Sequence, residues 1–284
     1  MTPPEIDADR TADNHWLTRV IPNKFPALQI EENVLRVSDA QGFQRMGGCG
    51  AHEVIIESPS HTTILAHQSI EQIERVLRMA QRRFLDLLRD KRFQAVIIFK
   101  NHGEGAGTSL AHPHWQVIAT PVVPRTLRLK HFEAAQSFDR TGRCLYCVLL
   151  ERELEAATRV VAANEDFVAI CPYASHLPFE TWIVPRYHQS SFGRVNGDHI
   201  TALASLLKDV LFRLHLALDN PDFNLTIDTA PRGDEEEEYF LWHLRILPRL
   251  STPAGFEMGS GMFINTVLPE EAANFLRTIE TKTR

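Results

Sequence analysis

Cysteines, surplus positive charge and long apolar runs are scarce or missing in this 284-residue chain, and each shortage excludes something. Four cysteines (Cys49, Cys144, Cys147 and Cys171) are too few for a disulfide-stapled scaffold of this length. Two of them, in Cys144-Leu145-Tyr146-Cys147, point to metal or redox chemistry in a reducing compartment. Thirty Lys and Arg against 36 Asp and Glu leave a net charge of −6, without the basic footprint that a nucleic-acid binder needs. No apolar run approaches the roughly 20 residues of a membrane span, and the start Met1-Thr2-Pro3-Pro4-Glu5 is polar and acidic, unlike a signal peptide. A cytoplasmic location is expected, with neither nucleic acid nor membrane as partner. What remains is 44% hydrophobic and 23% charged, the composition of a globular protein with a real core and room for two domains.

One order of elements occurs twice. Residues 53–58 have strand composition and lead into Pro59-Ser60-His61. A helix follows, with Ser69 as N-cap, Gln72 three residues on, and Ile70, Ile73, Val76, Leu77, Ala80, Phe84, Leu87 and Leu88 at helical spacing. Then come a buried strand over residues 93–99, a glycine-rich loop over 101–110, and a strand carrying His114 through Val117-Ile118-Ala119. The second half repeats this with a strand at 181–184, the turn Pro185-Arg186-Tyr187-His188 and an apolar stripe from Ile200 to Leu214. A strand at 223–227, an acidic loop at 234–238 and a strand at 241–247 complete it. The histidines keep step: 53 positions separate His61 from His114, and 55 separate His188 from His243. This predicts an internal duplication of α+β units, each a largely antiparallel sheet with packed helices. The units run over 1–138 and 139–284, with the boundary at the polar stretch 139–143. A closing helix is expected from Pro269, which suits a first helical turn.

Chemistry concentrates in His112-Pro113-His114-Trp115-Gln116. Alternation along a strand puts His112, His114 and Gln116 on one face. Upstream, Asn101-His102-Gly103-Glu104-Gly105-Ala106-Gly107-Thr108-Ser109 has the glycines that let backbone N–H groups converge on a phosphate. A neutral imidazole beside such a loop is a phosphorus nucleophile, and a covalent intermediate splits one displacement into two. Spacing alone equally permits packed histidines beside an ordinary turn.

These residues resemble the active-site segment of galactose-1-phosphate uridylyltransferases, the transferase branch of the histidine-triad superfamily, and the likeness covers nearly the whole chain. The resemblance implies duplicated histidine-triad-like domains and a nucleotidyl group carried on His114, with Gln116 holding a phosphoryl oxygen. Asn101, Gly107 and Ser109 then serve the phosphates, aided by loop N–H groups, while Asn23, Lys24 and Phe25 bracket base and ribose. The expected partners are a sugar nucleotide and a sugar 1-phosphate or phosphate, in ping-pong order, with UMP ahead of AMP as the carried group and a homodimer as the assembly. The tail Gly255-Phe256-Glu257-Met258-Gly259-Ser260-Gly261 is closer to sugar-nucleotide phosphorylase and adenylyltransferase relatives, and lacks the lysine and glutamate with which uridylyltransferases grip the hexose. Two alternatives stand beside this reading: a phosphorylase of ADP-sugars or dinucleoside polyphosphates, and a degenerate nucleotide-binding protein without turnover.

Zinc is the implied metal. His61 and His112 match two ligands of the family's first site, whose paired cysteines have no counterpart before Cys49. Relatives carry Thr-Pro-Pro-Glu shortly after those cysteines, so this chain is expected to begin too late, by a misplaced start or a truncation. Cys144, Cys147 and His188 match ligands of the second site. The fourth ligand there falls on Leu241, and either His243 substitutes, another group or water completes the set, or no metal binds. Trp115, where the family has a small residue, either narrows the pocket or points away and packs.

Overall fold

The computed structural model describes residues 4–108 and 110–281; Thr2, Pro3 and Ser109 lie outside the described residues. Its strands and helices, in chain order, are β1 (Asp7–Arg10), β2 (Trp16–Pro22), β3 (Arg36–Ser38), β4 (Gln44–Met46), β5 (Ala51–Ile56), α1 (Ile70–Leu87), β6 (Ala95–His102) and β7 (His114–Thr120). There follow α2 (Arg125–Thr141), α3 (Leu145–Ala156), β8 (Val160–Ala163), β9 (Phe167–Ile170), β10 (Thr181–Pro185), α4 (Gly197–Ala217), β11 (Phe223–Asp228), β12 (His243–Pro248), α5 (Gly255–Ser260) and α6 (Pro269–Thr278).

The architecture is α+β. Ten strands form one sheet in the order β1-β2-β5-β7-β6-β11-β12-β10-β9-β8, and its pairings are antiparallel. Reading outward from the centre, β6-β7-β5-β2-β1 on one side is matched by β11-β12-β10-β9-β8 on the other, which is the duplication seen in the histidine spacing. The units expected at 1–138 and 139–284 thus share one sheet through the β6–β11 pairing, and residue 138 lies within α2.

Helices α1 and α4 cover one face. Val76, Leu77, Ala80 and Phe84 of α1 and Leu203, Leu207, Val210 and Leu211 of α4 join Val96, Ile98, Val117, Leu225, Leu244 and Ile246 of the central strands in one buried core. Burial of such apolar area, at about 25 cal/mol per Å², drives this layering. Ser69 caps α1 as expected, its side chain accepting from Gln72 N. The Gln72 side chain does not close the box; it reaches Leu17 O, Thr18 Oγ1 and Glu57 O, and ties the helix to the sheet.

On the opposite face the halves differ. Helices α2 and α3, which no periodicity signalled, lie over the second half, where Leu150 of α3 packs with Val168, Ile170, Val184 and Leu241. The corresponding face of the first half stays open as a cleft. No helix among the described residues is long and apolar enough to cross a membrane.

Candidate active site

Strand β7 begins at His114, not at His112 as alternation predicted, because residues 111–113 turn before the ladder starts. From there the alternation holds. Trp115, Val117 and Ala119 are fully buried against the helices. Trp115 therefore packs and does not narrow the cleft. His114 and Gln116 take the open face. The β6–β7 register pairs Phe99 with Gln116, so Asn101 comes level with His114 on that face.

His114 is 6% exposed, and its Nδ1 lies 2.8 Å from His112 O. A carbonyl only accepts, so Nδ1 carries the proton and Nε2 keeps its lone pair. Burial pushes the imidazolium below its ordinary range and the nearby Lys100 charge adds to this, while the bond to His112 O opposes it. The ring is thus neutral at physiological pH. Beneath it Lys100 Nζ meets Glu57 Oε1 at 2.5 Å, both side chains essentially fully buried, with Lys100 also 3.4 Å from His114 O. This ion pair gave no sequence signal, since a lone Lys and a lone Glu on separate strands resemble surface residues.

A cavity of about 560 Å³ opens at His114, lined by Asn101, Gly103, Thr108, His112, Asn220 and Asp222 among others. A larger one, about 650 Å³, lies on the helical face around His67, Lys208 and Phe212 and holds none of these groups. The glycine loop bounds the first cavity, and the amides of residues 105–108 are engaged within the protein. Gly105 N donates to Asp222 Oδ2 at 2.6 Å, Ala106 N and Thr108 N to Gly103 O, and Gly107 N to Glu104 O. The glycines instead permit a tight turn: Gly103 and Gly107 have φ of +82° and +85°, and a Cβ on Gly103 would stand 1.6 Å from Asp222 Oδ1.

Asn23 reaches the site through a residue that carried no sequence signal. His52, on the open face of β5, lies 2.7 Å from Gln116 Oε1 and 3.0 Å from Asn23 Nδ2 through the same Nε2. His52 fell outside the strand expected at 53–58, and only the β5–β7 pairing shows that it shares a face with Gln116. Lys24 and Phe25 are exposed, Phe25 by 81%, with Lys24 Nζ over the Phe25 ring. Ser109 lies outside the described residues.

His61 and His112 meet, Nδ1 to Nδ1 at 2.9 Å, while His112 Nε2 donates to Ser58 O at 2.8 Å. That leaves His112 Nδ1, facing His61 Nδ1, as the atom able to bind a metal, but no third His, Cys, Asp or Glu among the described residues joins the pair. Cys144, Cys147 and His188 do converge, their ligand atoms within 4.8 Å of one another. Hydrogen bonds from Cys147 and His188 hold the Cys144 thiol down to about 5 against the effect of burial. Two sulfurs and one imidazole are a zinc-type donor set. Leu241, 1% exposed and packed beside Cys144, offers no fourth ligand. His243 does not substitute: its Nδ1 faces Leu241 O at 3.0 Å and its Nε2 faces Asp228 at 3.4 Å. Its ring stacks on Trp182 and lies against Tyr146, outside the group formed by Cys144, Cys147 and His188.

The sequence profile of the galactose-1-phosphate uridyl transferase N-terminal domain matches residues 1–124. ADP-glucose phosphorylase of Arabidopsis thaliana is 33% identical over 279 residues, covering 97% of this chain and 78% of that protein. The chain belongs to the galactose-1-phosphate uridylyltransferase family. Within this family, galactose-1-phosphate uridylyltransferase of Thermotoga maritima is 29% identical over 268 residues, covering 92% of this chain and 84% of the relative. A crystal structure of Arabidopsis thaliana ADP-glucose phosphorylase with bound ADP-glucose superposes with a TM-score of 0.88 at 31% identity, covering 99% and 88% of the two chains. Family membership makes this protein a transferase enzyme.

Proposed function

We propose that the protein transfers a nucleoside monophosphate from a nucleoside-diphosphate sugar to phosphate or a sugar 1-phosphate through a covalent bond to His114. The observation that carries this reading is the tautomer of His114: with Nδ1–H bound to His112 O, the Nε2 lone pair faces the cleft on a buried, neutral ring. Nε2 attacks the α-phosphorus, the N–P bond forms, and the bond to the sugar 1-phosphate oxygen breaks. The positive charge that develops on the ring is shared with His112 O through Nδ1–H. A phosphate oxygen of the second substrate then attacks the same phosphorus and releases the imidazole. Gln116 and Asn101 donate to the phosphoryl oxygens, with Gly107 shaping the loop beside them, and Asn23, Lys24 and Phe25 meet the nucleoside.

Adenine is the base we favour. The ADP-glucose phosphorylase of Arabidopsis thaliana matches 97% of the chain at 33% identity, and the tail with Gly255 and Gly261 lacks the hexose-gripping pair of uridylyltransferases. Uridine remains the second reading, supported by the uridylyltransferases that match at 29% and 26%. Cys144, Cys147 and His188 would hold a zinc ion, which would supply structure rather than chemistry by tying α3 to the turn after β10.

Intact-protein mass after mixing with ADP-glucose or UDP-glucose tests the reading. The expected result is an acid-labile gain of one AMP or UMP, absent in His114→Ala. Tight nucleotide binding with no adduct from either donor would overturn it in favour of a non-catalytic binding protein.

A further inference from the structure

Two amides flank His114, Gln116 on its own strand and Asn101 across β6, and a third, Asn23, stands beside Gln116. Facing a phosphoryl group, a carboxamide attracts with its NH₂ and repels with its oxygen. We propose that two hydrogen-bond relays settle that choice, one from Ala27 through His52 to Gln116 and one from Arg249 through Asn224 to Asn101. Both amides are thereby fixed with N–H toward an anion at His114. The inference rests on the nucleotidyl-transfer reading above.

The first relay starts from a group that can only donate. Ala27 N–H meets His52 Nδ1 at 3.1 Å, so Nδ1 keeps its lone pair and the neutral ring carries its proton on Nε2. That proton points at Gln116 Oε1, 2.7 Å away. With its oxygen held, Gln116 turns its NH₂ to the face it shares with His114. Asn23 Oδ1 accepts from Phe25 N at 2.9 Å, so the Asn23 amide likewise faces His52 with its nitrogen. The protonated Nε2 offers that nitrogen no lone pair, and the Asn23 NH₂ stays available to a ligand.

The second relay starts from Arg249, whose guanidinium has no acceptor. Its Nε donates to Asn224 Oδ1 at 2.5 Å. Asn224 must then offer its NH₂ onward, and it does so to Asn101 Oδ1 at 2.8 Å and Ala106 O at 2.9 Å. The Asn101 oxygen is occupied, and its Nδ2 meets no acceptor among the described residues. Arg249 also donates its backbone N–H to Asp222 O at 2.7 Å, and the Asp222 carboxylate holds Gly105 of the glycine loop. A residue just beyond β12 of the second half thus orients a donor at the site of the first half. His52, Asn224 and Arg249 are positioning residues; none needs to touch the substrate.

The test is a double-mutant cycle on the single-turnover rate of adduct formation. His52→Ala and Arg249→Met are each expected to slow it about 10-fold. The same changes should alter the rate by less than about 2-fold once Gln116→Ala or Asn101→Ala, respectively, has removed the amide being oriented. His52→Gln keeps an N–H donor near the Nε2 position and Arg249→Lys keeps a donor-only cation, so both should recover most of the rate. Losses of equal size with and without the target amide, or no loss at all, would overturn the relays. Equilibrium binding of AMP and UMP to the same variants repeats the cycle without chemistry. A wild-type protein that forms no adduct yet shows the coupling in binding would refute nucleotidyl transfer and leave the relays standing.

Discussion

His243 occupies in the second half the place that His114 occupies in the first. Each ring points Nδ1 at the carbonyl two residues back, His112 O at 2.8 Å and Leu241 O at 3.0 Å, and so frees Nε2. What faces Nε2 differs. Asn101 comes level with His114, whereas the β11–β12 register puts Asp228 opposite His243, 3.4 Å away. Asp228 is also paired with Lys130 from α2 and lies near Arg245, which in turn pairs with Glu180. A carboxylate there repels a phosphate and clamps the ring, which also stacks on Trp182. One copy of the duplicated site is thereby open for chemistry and the other is filled by a polar cluster under α2.

His114→Ala should therefore abolish adduct formation with little effect on stability. His243→Ala should leave the adduct rate within about 2-fold of wild type and lower unfolding stability by about 2–4 kcal/mol, because it breaks a buried polar cluster. Single-turnover mass spectrometry and urea unfolding separate the two.

The acid limb of adduct formation should lie below the ordinary imidazole range. Burial, joined by Lys100, holds the His114 imidazolium below 6.5, so the nucleophile stays unprotonated as pH falls through 6.5 and is lost only lower down. A rate that halves near or above pH 6.5 would show that the ring is not desolvated in this way.

Lys100→Met should cost about 3–5 kcal/mol, since it leaves Glu57 charged and alone in the core. Adding Glu57→Leu should restore most of that loss. Urea unfolding of the single and double variants checks both statements.

Gly103→Ala should displace the Asp222 carboxylate, which lies 1.6 Å from the added methyl position, and should strain a backbone at φ +82°. The expected cost is about 1–3 kcal/mol in stability, with a raised KM for the sugar nucleotide as the loop loses its Gly105 anchor. A KM unchanged from wild type would dissociate the loop from substrate binding.

Stability should fall as pH drops from 6.5 toward 4 because of His131. Burial against Phe240 lowers its pKa to about 4, so over that window the unfolded chain binds a proton that the folded chain excludes. Unfolding is therefore favoured as pH falls, by up to about 3 kcal/mol. His131→Phe should remove that share of the acid sensitivity in unfolding titrations at pH 7 and pH 4.5.

Much of this was legible in the residues themselves. Helical spacing from Ile70 to Leu87 and from Ile200 to Leu214 located the two core helices, and Pro269 marked the first turn of the closing one. Those signals are local, because the period of an amphipathic element is written within a dozen residues. Helices α2 and α3 escaped notice because each buries little: among the residues of α2 only His131 and Ala134 are buried, and neither marks an apolar stripe. The glycine loop misled for a related reason. Glycines announce permissive backbone, but whether their N–H groups are free depends on Asp222, more than a hundred residues away.

The sequence by itself determined the duplication, the elements that carry it, and a histidine on the corresponding strand of each half, because periodicity and repeat spacing are properties of neighbouring residues. The tertiary structure alone decided which histidine faces an amide and which a carboxylate, that His243 leaves the cysteines, and that His52 and Arg249 fix the amides beside His114. Each of those outcomes is a hydrogen bond or ion pair between segments brought together by strand order in the sheet, and strand order is settled by how the whole core packs.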